Sequence, residues 1–469
     1  MSTTVIIVIM TAIVILATII PTFILSRRES TSADSWAAAD RSLPIYVVIG
    51  TQFASVFGGG TLVGHVASGY TNGVAHLIYV ILVCSPLLIL MILAKWIRKH
   101  NFTTIPEILG SFTNNNKIIR VIAAIMTIIV PFGWITSQIT AFGSIYAALT
   151  GINYNLLCVV FAAVALLFLM PSGLKTVAWT DFIFACFILV MCGICAVRAM
   201  GMAGGVDGFM ASVNPDLLSM SASVERVGWG TILLWVFAIL PGGVTNQLYF
   251  QRVCAIKDEK QVNRSLLLSF ITCIIGVGWA VYMGIVINSV NPNITDGAVT
   301  GWFIAQLPTP LLALFAALIF ATMMSTLDSG AQSVVVNITR DIIPAFRKEP
   351  LEPKAELKLS RILSVAIMVI ALLMCLVFTD TLGWLTATYA YSAAALFCPI
   401  YVGYILRKKN FVTTAGIGAS MVGGVVGAAI AAVLKTAVNY AAVGIGLSLI
   451  CLLVVSALTR NKETKSKAA

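Results

Sequence analysis

Apolar runs of about 20 residues, each long enough to cross a bilayer as a helix, recur along the whole chain. Backbone polar groups in lipid must be satisfied within the segment, and these runs are too long and too unalternating for barrel strands. Because 59% of the residues are hydrophobic and 10% are charged, no stretch is polar enough to form a separate soluble domain. The sequence therefore predicts an all-α integral membrane protein with a single domain over residues 1–469.

We predict thirteen transmembrane helices. They lie near residues 5–25, 44–70, 73–94, 119–147, 155–170, 176–197, 229–251, 265–288, 308–338, 360–378, 382–405, 411–434 and 439–459. The first run has no basic residue ahead of its apolar core, and Arg27 and Arg28 follow it. We therefore expect it to be a membrane helix with its N terminus outside, and not a cleaved signal peptide.

The positive charges agree with this topology. Cytoplasmic loops of membrane proteins carry an excess of Lys and Arg. With the N terminus outside, all of the 29 basic residues except Arg198, Arg226 and Lys435 fall on the inner side. The net charge of +11 is thus expected to reflect orientation towards an anionic inner leaflet, with a cytoplasmic C terminus. It does not imply a nucleic-acid partner.

Two acidic residues, Asp181 and Asp328, lie inside predicted spans. A carboxylate in the bilayer core is costly unless it is paired or solvated. Since every Lys and Arg is assigned outside the middle of a span, the expected partner is a bound cation or a proton. Ser325, Asp328 and Ser329, together with Gln332, recur at helical spacing and form one polar stripe. Hydroxyl and carboxylate oxygens suit a hard cation, but hydroxyls also serve as contacts between helices.

The second span contains three consecutive glycines, Gly58 to Gly60. Glycine is a poor helix former, so this run allows the helix to unwind. Broken helices at mid-membrane expose carbonyl groups that bind coupling ions. Close packing against a neighbouring helix is the alternative explanation, and the glycines alone do not decide between the two.

Four stretches resemble motifs of the sodium–solute symporter family, which includes sodium-driven galactose, proline, sialic acid and pantothenate carriers. In chain order they are residues 39–44 (A-D-R-S-L-P, family A-G-R-S-L-P), 172–181 (S-G-L-K-T-V-A-W-T-D), 246–257 (N-Q-L-Y-F-Q-R-V-C-A-I-K) and 325–329 (S-T-L-D-S). Their order and their positions on the predicted spans make the resemblance specific.

The resemblance implies an inverted-repeat core of five plus five helices, of the leucine-transporter type, with one helix before it and two after. The repeats would cover residues 44–197 and 229–406, and the extra helices residues 5–25 and 411–459. It also implies sodium-coupled symport of a small organic solute by alternating access, with Na⁺ as the coupling ion. By position, the family's conserved sodium site would use carbonyls of Ala54, Phe57 and Thr322 and the hydroxyls of Ser325 and Thr326.

Some family members have a second sodium site, whose matching residues here are Asp181, Ser325, Asp328 and Ser329. Three positions depart from the family pattern. Thr322 stands where Ala is common, Phe184 where Gln usually follows the T-D pair, and Tyr391 where sugar carriers have Gln. The last departure argues against a sugar.

Substrate contacts in the family come from the first, second, sixth and tenth core helices. The matching candidates are Gly60, Thr61, Asn246, Tyr249 and Tyr391. His65 and Trp134 also lie in spans, where either cavity lining or simple packing would account for them. With every basic residue outside the middle of a span, we expect a neutral, zwitterionic or monoanionic solute and not a dianion.

Three other functions are weighed against sodium symport. A membrane sensor would need longer tails than those flanking the first and last spans. An intramembrane enzyme would need a nucleophile and base or a metal cluster, and His65, His76 and His100 have no Asp or second His beside them in sequence. A uniporter or a proton-coupled carrier of the same fold stays open, with proton coupling resting on Asp181 and Asp328.

Overall fold

The computed structural model describes residues 3–26, 33–169, 173–295, 297–347, 349, 352–377 and 381–468. Within these residues the regular secondary structure is all helical, with no strand. Arg27 and Arg28, used above for orientation, and Ser172 of the second motif lie outside the described residues.

The N-terminal part of the chain forms ten helices in the described residues. They are α1 (Thr3–Ser26), α2 (Ala33–Ala38), α3 (Ile45–Val56), α4 (Val66–Asn72), α5 (His76–Cys84), α6 (Pro86–Lys99), α7 (Ile105–Phe112), α8 (Lys117–Thr150), α9 (Tyr154–Leu169) and α10 (Leu174–Met202). Three short helices follow, namely α11 (Gly205–Ser212), α12 (Pro215–Leu218) and α13 (Met220–Val227).

The C-terminal part is organised similarly. Its described helices are α14 (Trp229–Gly243), α15 (Gln247–Ala255), α16 (Val262–Val290), α17 (Val299–Ala305), α18 (Thr309–Asn337), α19 (Ile343–Phe346), α20 (Pro353–Cys375), α21 (Thr381–Ser392), α22 (Gly403–Leu406), α23 (Thr414–Leu434) and α24 (Tyr440–Ala468). Wider π-helical turns lie at Gly60–His65, Ile338–Ile342 and Ala393–Val402.

Ten helical runs in the described residues are long and apolar enough to cross a membrane, and three shorter apolar helices accompany them. The thirteen predicted spans fall on these helices. The run Gly60–Lys99 holds the end of the second predicted span and all of the third. Gly73, with a φ of 59°, lies between these two parts and separates α4 from α5. The prediction of a polytopic helical membrane protein is confirmed.

Helix α3 breaks at the glycine run, and the same glycines pack tightly. Phe57 ends the helix with φ −85° and ψ 75°, and a π-helical turn begins at Gly60. A Cβ atom on Gly58 would lie 2.6 Å from the Thr326 hydroxyl, and one on Gly59 would lie 2.4 Å from Cβ of Ala141. Both expectations for this run therefore hold, since glycine permits the break and the close approach together.

A second break separates α14 from α15, between Gly243 and Gln247. Asn246 caps α15 by accepting a hydrogen bond from the Leu248 N–H at 3.0 Å. The end of α15 is joined to the segment before α3 by an isolated bridge, in which the Leu43 N–H donates to Ala255 and the Lys257 N–H donates to Leu43. Helix α18, buried almost throughout, packs against α3, α8 and α10. The two breaks and α18 position the site described next.

Candidate functional site

The hydroxyl of Thr326 joins the broken helix α3 to α18. Its Oγ1 lies 3.3 Å from the carbonyl oxygen of Ala54 and 3.2 Å from that of Thr322. Ala54 would normally accept a hydrogen bond from Gly58 in an unbroken helix, but the Gly58 N–H donates to Val56 at 3.1 Å. The break therefore turns the Ala54 carbonyl towards α18. Two carbonyls and a hydroxyl, all buried, form an oxygen-donor set that fits Na⁺.

The five predicted ligands of the first sodium site divide into two groups. Thr326 contacts the carbonyls of both Ala54 and Thr322, and Phe57 lies buried at the end of α3. The Ser325 hydroxyl instead donates to Oδ1 of Asp181 at 2.5 Å. Neighbouring hydroxyls of α18 thus face different partners, because consecutive helical residues point about 100° apart.

Asp181 is the centre of a buried polar cluster between α10, α3 and α18. Its Oδ2 accepts hydrogen bonds from Thr51 at 2.6 Å and from Ser329 at 3.1 Å, while Oδ1 accepts from Ser325. Only 1% of the residue is exposed. Burying an unpaired carboxylate is costly. The three hydroxyl donors therefore stabilise the buried Asp181 carboxylate.

Arg252 completes this cluster and corrects the expectation that the acids inside the spans have no basic partner. The positive-charge pattern placed Arg252 on the inner side, but its side chain is fully buried and Nη2 lies 3.6 Å from Oδ2 of Asp181. The bridge at the end of α15 holds this helix against the start of α3, which brings the guanidinium beside Thr51. Asp181 therefore has a basic partner that the sequence pattern did not indicate.

Asp328 lies apart from the hydrogen bonds of this cluster, although sequence spacing places it on the same polar stripe. Its Oδ1 is buried and has no hydrogen-bond partner, and 7% of the residue is exposed. Ser325 and Ser329 both donate to Asp181, and the Gln332 amide donates to the carbonyl of Trp36 at 2.9 Å. The hydrogen bonds of the stripe thus go to two partners, Asp181 and Trp36, and the Oδ1 of Asp328 takes no part in them.

A cavity lies directly beside the Thr326 contact. It is lined by Gly60 and Thr61 of the predicted substrate residues, and by His65 and Trp134. Thr326 of the first ion-site candidates also lines it, together with Ser55, Val56 and Gly58, which are chain neighbours of Ala54 and Phe57. Sequence reasoning missed its remaining lining residues, which are Tyr79, Val83, Ser137, Gln138, Leu385 and Tyr389. None of the lining residues is Asp, Glu, Lys or Arg.

Hydrogen bonds hold the aromatic and amide wall of the cavity in place. The Trp134 Nε1–H donates to the hydroxyl of Tyr389 at 3.0 Å. Gln138 accepts from the Gly59 N–H at 2.5 Å and donates through Nε2 to the carbonyl of Trp134 at 3.1 Å. The break in α3 is thus connected to the cavity wall through one amide side chain. Gln138 is a polar residue in the middle of a predicted span, and this position in the sequence could have indicated that its helix lines a cavity.

Two histidines meet at the edge of the cavity, although they stand apart in sequence. His65 Nδ1 and His76 Nε2 are 2.8 Å apart, and the ring of Tyr79 packs against both imidazoles. His76 also meets Trp235 edge-on, with ring centroids 5.6 Å apart. The two histidines, Tyr79 and Trp235 therefore form one aromatic cluster at this edge of the cavity.

The other predicted substrate residues lie outside the cavity lining. Asn246 is the cap of α15, and its Nδ2 has no hydrogen-bond partner. Tyr249 packs against Trp134 with ring centroids 6.1 Å apart, and its hydroxyl also has no partner. Tyr391 packs against Tyr440 of α24 at 6.0 Å. Tyr389, two residues earlier on α21, lines the cavity in its place.

Broken membrane helices beside a buried polar cavity, with a backbone carbonyl freed at one of the breaks, are typical of secondary transporters. More narrowly, the chain belongs to the sodium:solute symporter family, whose sequence profile matches residues 36–427. The members of this family are transporters and not enzymes, and they couple the movement of a solute to sodium.

Known relatives agree with this assignment. The chain is 24% identical over 399 residues to the sodium/glucose cotransporter of Vibrio parahaemolyticus, covering 77% of this chain and 71% of that protein. It is 23% identical over 364 residues to a sodium/sialic acid symporter of Aliivibrio fischeri, covering 72% and 70%.

Solved structures share the fold. A Na⁺-coupled sialic acid symporter in a substrate-bound outward-open state superposes with a TM-score of 0.83 at 17% identity, covering 97% of each chain. The nucleobase-cation-symport-1 family transporter MHP1, in a closed conformation, superposes with a TM-score of 0.61 at 14% identity, covering 93% of this chain and 97% of that one. The leucine-transporter type of core expected from the sequence is confirmed.

Proposed function

We propose that the protein uses a sodium gradient to move a small neutral, zwitterionic or monoanionic organic solute, with Na⁺ held by Ala54, Phe57, Thr322, Ser325 and Thr326. The observation that carries this proposal is the position of Thr326. Its hydroxyl contacts two buried carbonyls across the break in α3, and the same residue lines the cavity. An ion at this point would fix the broken helix against α18 and so shape the cavity wall.

The cavity's composition supports the solute class. None of its described lining residues is Asp, Glu, Lys or Arg, so a dianion or a dication would be left without a compensating charge. Arg252 does not change this inference, because its guanidinium is engaged by Asp181 and is not among the lining residues. Hydroxyl, amide and aromatic groups suit a compact solute with few polar atoms. Gly60 and Thr61 remain the proposed substrate contacts from the predicted set, joined by Trp134 and Tyr389.

Asp181, Ser325, Asp328 and Ser329 are proposed as a second cation position. Three of them already share hydrogen bonds, and the unpartnered Oδ1 of Asp328 offers a further ligand oxygen. Coupling follows if cation binding and solute binding both favour one arrangement of the broken helices, since a ligand shifts a conformational equilibrium only by its differential affinity.

The proposal is tested by thermal unfolding of the purified protein with a panel of sugars, amino acids, carboxylates and quaternary amines. Each solute is tested in Na⁺ and, at equal ionic strength, in K⁺. A transported solute is expected to stabilise the protein in Na⁺, by about 2.7 kcal/mol at a hundred times its Kd. The same stabilisation in K⁺ and Na⁺ would contradict sodium coupling. A response to pH with no response to Na⁺ would favour the proton-coupled alternative.

Orientation is proposed from the charge distribution, with the N terminus outside and the C terminus cytoplasmic. In a cysteine-free background, a cysteine at the exposed Asn293 is expected to react with an impermeant thiol reagent added to intact cells, whereas one at the exposed Lys354 is not. Labelling after permeabilisation controls for accessibility. Reaction of Lys354→Cys and protection of Asn293→Cys in intact cells would reverse the topology.

Tyr389→Phe is expected to lower the apparent affinity for the solute about twofold to tenfold, since it removes the acceptor of the Trp134 indole N–H. The sodium dependence of uptake should stay unchanged. Tyr391→Phe is the matched control, because Tyr391 packs against Tyr440 outside the cavity. Saturation curves for solute uptake measure both effects. A larger loss in Tyr391→Phe than in Tyr389→Phe would return Tyr391 to the substrate site.

A further inference from the structure

The guanidinium of Arg252 is a fully buried cation whose donors all point into the Asp181 cluster or back to its own helix. Nη2 donates to the hydroxyls of Ser329 at 2.5 Å and of Ser55 at 3.2 Å, and it lies 3.6 Å from Oδ2 of Asp181. Nε and Nη2 both donate to Thr51, at 3.3 and 3.2 Å, and Nη1 donates to the carbonyl of Leu248. The side chain has no exposed surface.

The groups held by this arginine are of the kind that bind an alkali cation. They are a carboxylate oxygen and hydroxyl oxygens, and Asp181 and Ser329 belong to the second cation position proposed above. Oδ2 of Asp181 is approached by Thr51, Ser329 and Nη2 together. A sodium ion on the same oxygen would sit beside the guanidinium, and two like charges at that distance repel strongly where water is absent.

Charge balance leads to the same conclusion. The cluster and its surroundings contain two carboxylates, Asp181 and Asp328, and one guanidinium. One sodium ion at the neutral oxygens of Ala54, Thr322 and Thr326 balances the remaining negative charge. A second sodium ion would leave an excess positive charge among buried groups, which is unfavourable.

We propose that Arg252 is a tethered cation that occupies the second cation position at Asp181, so that the protein binds one sodium ion. This inference rests on the proposed function, because the first sodium site supplies the single ion. Removing the guanidinium leaves Asp181 and Asp328 with the hydroxyls of Ser325 and Ser329 and no positive charge among them. That arrangement binds a second sodium ion.

The experiment counts the sodium ions bound to the purified full-length protein by scintillation proximity with radioactive sodium, so no solute is needed. The wild type is expected to bind one ion. Arg252→Gln is expected to bind two, with a sigmoidal saturation curve, because glutamine keeps hydrogen-bond donors but no charge. Arg252→Lys keeps the charge and is expected to bind one. The double variant Asp181→Asn with Arg252→Gln should also bind one, since the second position has lost its acid.

Two sodium ions bound to the wild type would overturn the inference whether or not the variants fold. A folded Arg252→Gln protein that binds a single ion with an unchanged curve would also overturn it. A wild type that binds no sodium is a different result, because it removes the first site and with it the proposed function. Circular dichroism of each variant confirms that the counts refer to folded protein.

Discussion

Thr326→Ala is expected to weaken the apparent sodium affinity of transport about ten- to a hundredfold. The hydroxyl lies between the carbonyls of Ala54 and Thr322, where a desolvated cation would lose one oxygen ligand. A contact to a charged group is worth about 1.5–3 kcal/mol, which gives this range. Sodium dependence of solute uptake at constant ionic strength measures the effect, with the maximal rate reported separately.

Thr326→Ser is the matched control, because serine keeps the hydroxyl and removes only a methyl group. It should preserve sodium affinity to within a few fold of the wild type. Ser325→Ala separates the two neighbouring hydroxyls, since Ser325 donates to Asp181 and is expected to have the smaller effect. Unchanged sodium dependence in the double variant of Ser325 and Thr326 to alanine would refute the first sodium site.

Asp181→Asn is expected to cause the largest loss of stability of any single substitution proposed, about 3–5 kcal/mol, because it leaves the buried charge of Arg252 without its partner. The two carboxylate oxygens of Asp181 accept hydrogen bonds from three hydroxyls. In asparagine one of these oxygens is replaced by an N–H₂ group, which cannot accept them. Thermal unfolding of the purified protein should show a clearly lowered midpoint, and sodium-driven uptake should be reduced with it.

The companion substitutions make this prediction specific. Arg252→Gln leaves a carboxylate that sodium can neutralise, so its loss of stability should be recovered by added Na⁺, whereas that of Asp181→Asn should not be. The double variant should be more stable than Asp181→Asn alone, because no uncompensated charge remains. Asp216→Asn serves as the surface control. It removes the partner of Arg226 in an exposed pair at 3.8 Å, which is expected to contribute about 0–1 kcal/mol.

An Asp181→Asn protein as stable as the Asp216→Asn control would mean that Arg252 is solvated or paired elsewhere in solution. That result would also remove the basis for treating Arg252 as a cation fixed in the cluster. The experiments on Thr326 and on Asp181 are independent, since Thr326 donates to backbone carbonyls and Asp181 accepts from side chains.

The sequence by itself determined the membrane class, the places of the apolar helices and the break in the second predicted span. These features are local. A run of about 20 apolar residues must be a helix in lipid whatever surrounds it, and consecutive glycines permit a break within the same few residues. The two motifs that contain Asp181 and Thr326 were equally visible, because each lies in one short stretch of the chain.

Only the tertiary structure decided how these residues are partnered. Arg252 looks like a loop residue because it directly follows the predicted span 229–251 and further basic residues come soon after it. The bridge between Leu43 and Ile256, however, holds its helix where the guanidinium reaches Asp181. Ser325 and Thr326 are adjacent in sequence and yet serve different partners, because a helix turns them towards α10 and α3 respectively. Tyr389 and not Tyr391 lines the cavity for the same reason. The rotation of each helix against its neighbours is set by packing over the whole bundle, which no short stretch of sequence contains.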